Sequence, residues 1–117
     1  APEIINWDKA TQLAGGKREL AEDLLAMFVR TLPNDISLIK QSHSNHDQKT
    51  LAYQIHKLHG AVCYCGLPRI KNVLGHLESE LKNNIMVSLP TLLDQLYIEV
   101  SLLLEHYSRL KNNSGSV

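Results

Sequence analysis

The aliphatic residues of this chain recur every three or four positions along almost its whole length, and nowhere do they alternate. An α-helix turns once in 3.6 residues, so this spacing gathers them on one face, whereas a half-buried strand needs period two. Leu20, Leu24, Met27, Phe28 and Thr31 keep the helical interval up to Pro33. A break is expected there, because proline lacks an N–H and its ring meets the preceding turn. Asn34 and Asp35 can start a further stretch through Ile36 and Ile39, which gives way to the polar run Gln41 to Gln48. Asp47 suits the N-cap of a helix reaching about Cys65, with Leu51, Ile55, Leu58 and Val62 as its buried stripe. Gly66 and Pro68 predict a joint, since glycine accepts a left-handed turn and proline fits the first turn of a new helix. Leu67, Ile70, Leu74, Leu77 and Leu81 stripe that helix up to Asn83 and Asn84. Ser88 and Pro90 open a last one, lined by Leu89, Leu92, Leu93, Leu96, Val100, Leu103, Tyr107 and Leu110.

Narrow stripes on several helices with short joints predict an all-α fold, an antiparallel four-helix bundle. Ile4, Ile5 and Trp7 lead a short N-terminal helix, ended before Gly15 and Gly16, that is expected to pack across one end of the bundle. Residues 1–16 therefore read as an arm and short helix, 17–110 as the bundle, and 111–117 as a frayed polar tail. All belong to one domain, because 117 residues suffice for one core.

Composition narrows the function. Twelve Lys plus Arg balance twelve Asp plus Glu, and without a basic block a nucleic-acid partner is not expected. No apolar run approaches the roughly 20 residues of a membrane span, and Ala1-Pro2-Glu3 lacks the basic start of a signal peptide. Cys63 and Cys65 stand two apart, which on a helix turns them to different faces and disfavours a disulfide between them. A reduced, cytoplasmic setting is the simplest reading.

The chemistry concentrates in Gln54-Ile55-His56-Lys57-Leu58-His59-Gly60-Ala61-Val62-Cys63. At about 100° per residue, His56 falls about 140° from the centre of the buried stripe and His59 about 80°. His56 should thus face solvent in mid-helix, with Cys63 beside it and Gly60 pointing outward. An exposed helical glycine costs about 1 kcal/mol relative to alanine. Clearance for a partner or a phosphoryl group would explain it, as would tolerance of a neighbouring loop. Imidazole is a neutral nucleophile near pH 7 and forms a phosphoramidate reactive enough to be passed on. Transfer requires an in-line approach and charge stabilisation around the phosphoryl oxygens, to which Lys57 and His59 can contribute. On its own, an exposed helical histidine is ordinarily just surface.

The context adds a stronger signal. His56-Lys57-Leu58-His59-Gly60 followed by Gly66-Leu67 resembles the signature of histidine-containing phosphotransfer (HPt) domains. Asn6-Trp7-Asp8, Leu13-Ala14-Gly15-Gly16, Glu19-Leu20 and the run Leu24 to Pro33 resemble the N-terminal region of that family. His-Lys-Leu-His-Gly with Cys63-Tyr64-Cys65-Gly66-Leu67-Pro68-Arg69 is most similar to the C-terminal HPt domains of BarA-type hybrid sensor histidine kinases. The likeness extends to about Leu110. It implies that His56 is the phospho-acceptor, taking a phosphoryl group from a receiver-domain aspartate and passing it to a response-regulator aspartate. Gly60 matches the glycine that keeps the site open, and Gly66 the one at the joint. Two positions depart from the pattern: His59 stands where most members have lysine, and Glu78 where several have a glutamine that hydrogen-bonds the imidazole. Both are expected to support and orient His56.

The resemblance further implies no ATP site and no cofactor in this domain, so that it is not by itself an enzyme. The Mg²⁺ belongs to the partner receiver, and the domain acts as a monomer in the cytoplasmic part of a membrane-bound sensor kinase. The start at Ala1 suggests a piece excised from such a protein. Receiver domains dock on small or apolar residues around the histidine, which points to Ala52, Tyr53, Lys57, Gly60, Cys63 and Arg69, with Tyr64 as a further candidate. Two other readings compete. His56, His59 and Cys63 stand at i, i+3 and i+7, so a metal-binding helical module is conceivable, although one straight helix does not surround a tetrahedral ion. A plain helical adaptor without chemistry is the other. His43, His46, His76 and His106 have no partners at motif spacing and read as surface or boundary residues.

Overall fold

Five helices follow one another: α1 (Trp7–Leu13), α2 (Arg18–Ser44), α3 (Gln48–Val62), α4 (Pro68–Lys82) and α5 (Leu89–Gly115). The computed structural model describes residues 2–115, with side chains for 2–113. Helices α2 to α5 pack in chain order as the expected bundle, α3 against both α2 and α4, with α5 closing against α4 and α2. The core is aliphatic. Leu25, Leu32 and Ile39 from α2 meet Leu51, Ile55 and Val62 from α3, Leu74 and Leu77 from α4, and Leu93, Leu96 and Leu103 from α5, each at most 2% exposed. Side chains of this size contribute about 1.5–3 kcal/mol each on full burial, so the packed stripes rather than helix propensity hold the bundle.

The local signals that set the ends of α3 and α4 act as the sequence predicts. The Asp47 carboxylate accepts from the Thr50 N–H at 3.2 Å, starting α3. Hydrogen bonding from Thr50, its side chain and then its backbone N–H, holds the Asp47 carboxyl below the ordinary aspartate range. Gly66 takes φ +65° and Pro68 begins α4. A side chain at Gly66 would also meet Asn6 O at 2.6 Å and Ala10 Cβ at 2.7 Å. The joint is therefore the surface on which α1 sits, fastened by a hydrogen bond from Asn6 N–H to Gly66 O at 2.8 Å. Asn6 caps α1, accepting from Lys9 N–H at 3.0 Å, and the Arg18 guanidinium lies 4.1 Å from the centre of the Trp7 ring. The arm is thus tied across the end of the bundle that carries the α3–α4 joint.

Two expectations need correction. Pro33 does not break the chain: α2 runs through it as one helix of 27 residues. The stripe that decides this is Ala21, Leu25, Phe28, Leu32, Ile36 and Ile39, all buried, whereas Leu20 and Met27 face solvent. This stripe stays in phase on both sides of the proline. Pro33 itself is exposed, so its ring takes no place in the core. At the other end, α5 continues through Lys111–Gly115, where the sequence suggests a frayed tail; Ser116 and Val117 lie outside the described residues.

Candidate functional site

The site forms where α3 and α4 lie side by side. Leu51, Ile55, Leu58 and Val62 are all buried, which fixes the rotation of α3 and turns His56 outward. The His56 side chain is 77% exposed, while that of His59, three residues on and toward α4, is 24% exposed. On α4 the buried residues Leu74, Leu77 and Leu81 set the rotation, and Glu78 emerges on the flank facing α3. Its carboxylate bridges the two histidines. Oε1 lies 2.9 Å from His59 Nδ1, and Oε2 hydrogen-bonds His56 Nδ1.

This arrangement fixes proton positions. Burial pushes the Glu78 carboxyl upward, but hydrogen bonds from His59 and His56, and their charges, outweigh it and leave the group below the ordinary glutamate range. Glu78 is therefore a carboxylate at neutral pH and can only accept. Both histidines must then donate their Nδ1–H. In a neutral His56 the lone pair sits on Nε2, on the exposed edge of the ring. One turn further along α3, Gly60 has nothing within 4 Å of where a Cβ would stand, so no neighbouring loop accounts for it. The nucleophilic nitrogen has open space beside it.

The sequence brought His56, His59 and Glu78 forward, and the structure brings all three together. It adds Gly75, one turn before Glu78, which sequence reading missed. A Cβ there would lie 3.6 Å from His59 Nε2 and 3.9 Å from Cε1, so the ring rests against a bare stretch of α4. The only trace in the sequence was a glycine inside an otherwise well-formed helix. Cys63 is half-buried and donates its S–H to the His59 carbonyl at 3.2 Å. With both imidazole Nδ1 atoms taken by Glu78 and this sulfur turned to its own helix, the arrangement does not favour the metal-module reading. Among the described residues, no group of three His, Cys, Asp or Glu side chains is placed to hold a metal ion. Cys65 is buried, and burial together with the neighbouring Cys63 pushes its thiol up to about 11.

The expected docking residues separate into two sets. Tyr53, Lys57 and Gly60 lie on the outward half of α3 around His56, with the half-buried Ala52 at its edge and Cys63 at the C-cap; Tyr53 is 66% exposed, and Tyr64 at 61% extends that surface. Lys57 and Tyr53 border a groove against Thr31, Asp35 and Leu38 of α2. Arg69 does not join them. Nine helical residues before Glu78, it faces about the opposite side of α4 and is committed to Glu99 of α5 through Nε and Nη2, both at 2.9 Å. His43, His46, His76 and His106 are exposed or half-exposed, and none is hydrogen-bonded to the His56 cluster. No helix among the described residues is long and apolar enough to cross a membrane.

A helical bundle with an imidazole exposed on the outside of a helix and hydrogen-bonded from behind by a carboxylate can offer a nucleophile to a phosphoryl donor. Residues 23–113 match the Hpt domain family, and the chain belongs to it. Its relatives include the sensor protein GacS of Pseudomonas syringae pv. syringae, 37% identical over 71% of this chain. Another is the signal transduction histidine-protein kinase BarA of Escherichia coli K12, 34% identical over 68% of it. The chain spans only 9% of the length of each. The crystal structure of the HPT domain from a Shewanella Hpt sensor hybrid histidine kinase is 33% identical. It superposes with a TM-score of 0.73, over 91% of this chain and 95% of that one. The family places the chain in two-component phosphorelay signalling.

Proposed function

We propose that His56 is the phosphoryl carrier of the relay, receiving the group from a receiver-domain aspartate and delivering it to a response-regulator aspartate. The observation that carries this is the Glu78 carboxylate behind His56, which spends the Nδ1–H and leaves the Nε2 lone pair on an exposed ring. Nε2 attacks the phosphorus of the aspartyl phosphate. The P–O bond breaks, and its electron pair restores the aspartate carboxylate. The ring then carries an N–P bond and retains Nδ1–H, with its positive charge paired to Glu78. The return step reverses these bonds on the second aspartate.

In this reading the domain has no ATP site, supplies no cofactor, and relies on Mg²⁺ held by the receiver to neutralise the transferring oxygens. The receiver docks over Ala52, Tyr53, Lys57, Gly60 and Cys63, and Arg69 contributes by holding α4 to α5 rather than by contact. The domain works as a monomer on the cytoplasmic side, within or alongside a hybrid sensor kinase. The test is direct. The chain and its His56→Gln variant are incubated with a phosphorylated receiver domain, and the label is followed. Acid-labile phosphate on the wild type alone is the expected result; none on the wild type would overturn the reading.

A further inference from the structure

The resemblance implies a lysine, a cation beside the histidine, where His59 stands, and a histidine there invites the same role. The geometry points to a different one: we infer that His59 is a positioning residue that acts through Glu78, holding the carboxylate so that the proton on Nδ1 of phosphorylated His56 stays in place. This rests on His56 being the phosphoryl carrier and specifies how its site is controlled.

Both ends of the His59 ring are used inside the α3–α4 seam. Nδ1 lies 2.9 Å from Glu78 Oε1, and the Nε2 edge lies against Gly75, whose missing side chain leaves the ring its berth. Both nitrogens therefore face α4. The effect of His59 is on Glu78. A carboxylate on a flexible glutamate can swing away or take one donor on either oxygen; with Oε1 fastened, Oε2 is the atom left for His56 Nδ1. The other charged groups nearby are placed differently. Lys57 borders the α2 groove that Asp35 also lines, and Lys49 on α3 and Lys82 on α4, one turn past Glu78, are exposed. The charges that act on Glu78 are those of His56 and His59.

The chemical consequence concerns the leaving group. A phosphorylated imidazole releases its phosphoryl group as a neutral ring only if the other nitrogen carries a proton. When that proton is lost, the departing ring would be an imidazolate, and transfer slows. A carboxylate fixed on Nδ1–H keeps the proton on the ring to higher pH than a neutral amide would. His59 therefore extends the pH range over which the phosphorylated domain remains a competent donor.

Phosphoramidate is the probe, because it phosphorylates an accessible imidazole without any docking partner. His56 Nε2 displaces ammonia from its phosphorus, and the ring keeps Nδ1–H. The readout is the hydrolysis rate of the phosphohistidine against pH, followed by ³¹P NMR, with thermal unfolding recorded for each variant. In Glu78→Gln the pH at which hydrolysis slows is expected to fall by on the order of one unit, the tenfold expected of one charge-assisted hydrogen bond. His59→Ala should move it the same way by about half as much, because the carboxylate remains but is free to swing. His59→Gln, which can still donate to Oε1 without titrating, should restore most of the wild-type profile. Bulk at Gly75 (Gly75→Val) should mimic His59→Ala. The decisive variant is the double one: His59→Ala should add nothing once Glu78 is Gln.

An additive effect of His59→Ala in the double variant would mean that it acts on the phosphoryl group itself, and the inference would fail. Coincident profiles for wild type and Glu78→Gln, or no labelling of His56 by phosphoramidate, would also overturn it. Labelling by phosphoramidate with the expected profiles, but none by any phosphorylated receiver, would sink the relay function while leaving this coupling in place.

Discussion

Gly60 offers the sharpest separation of function from stability. It lies in the last turn of α3, and nothing stands within 4 Å of a Cβ built on it. Replacing it by alanine removes the entropic cost of a helical glycine without a clash. The folded domain should gain about 0.5–1 kcal/mol, toward the lower end because the helix is about to end. For a domain of this size that raises the melting midpoint by roughly 2–5 °C. The isolated chain therefore gains nothing from this glycine. If the receiver's backbone passes over Gly60 to reach His56, a longer side chain must hold it away. A misplacement of about 1 Å in an in-line transfer costs roughly a hundredfold in rate. Gly60→Leu should accordingly fold normally and take label from phosphoramidate at within about twofold of the wild-type rate, since that donor needs no docking surface. Transfer from a phosphorylated receiver should fall by about two orders of magnitude. Stopped transfer assays with both donors, beside a melting curve, measure all of this on one preparation. Wild-type receiver transfer by Gly60→Leu would refute docking over this face, and a destabilised Gly60→Ala would refute the open surface itself.

Other consequences follow from the same geometry. Gly66→Ala combines φ +65° with contacts as short as 2.6 Å to Asn6 O, so strain and overpacking together should cost about 2–4 kcal/mol in a urea titration; an unchanged midpoint would contradict the α1 docking described. Arg69→Glu should lower stability by about 1 kcal/mol through loss of the partly exposed pair with Glu99, leave receiver transfer unchanged, and be repaired by Glu99→Arg; slowed transfer without destabilisation would return Arg69 to the docking face. The Cys65 thiol, pushed up to about 11 and buried, should react with a thiol reagent at pH 8 only after unfolding, and prompt modification in the native state would exclude its place beneath the α3–α4 joint. The folded Glu78 carboxyl lies below its ordinary value of 4.5, so its contribution to stability is present above that pH and is lost as the pH falls through the lower folded value. Glu78→Gln should thus flatten the acid limb of stability below about pH 5 in denaturant titrations, and an unaltered limb would argue against the bridge.

Much of the bundle was legible because burial and periodicity say the same thing. The α3, α4 and α5 stripes, the Asp47 cap and the Gly66–Pro68 joint each follow from one local rule, and nothing tertiary opposes them. The error at Pro33 came from weighing a local rule against too short a stretch. Proline inside a helix costs about 3 kcal/mol, yet Leu25, Phe28 and Leu32 before it and Ile36 and Ile39 after it lie on one continuous face. A real break would reset that phase, and these five side chains together bury more than the proline costs. The phase across Pro33 was in the sequence; reading the exposed Leu20 and Met27 as the stripe concealed it.

The site divides along a different line. The exposure of His56 was legible because it depends only on the rotation of its own helix, which Leu51, Ile55, Leu58 and Val62 determine. Arg69 went astray because its partner, Glu99, lies 30 residues away on α5, and an arginine near a signature looks the same whether free or paired. The partner of His59 is hidden for a related reason. From α3 alone it sits at the edge of the His56 face and resembles a substitute for the usual lysine. Only the packing of α4, with Gly75 and Glu78 one turn apart, turns the ring inward and gives it the second carboxylate oxygen. The residues at positions 59 and 78, which look independent in the sequence, meet in one hydrogen-bonded unit. A glutamate at position 78 supplies two acceptor oxygens where a glutamine supplies a single one, and a histidine at position 59 uses the second. Exchanging both together, His59→Lys with Glu78→Gln, should disturb receiver transfer less than either exchange alone. A double variant slower than both singles would show that the two residues act separately.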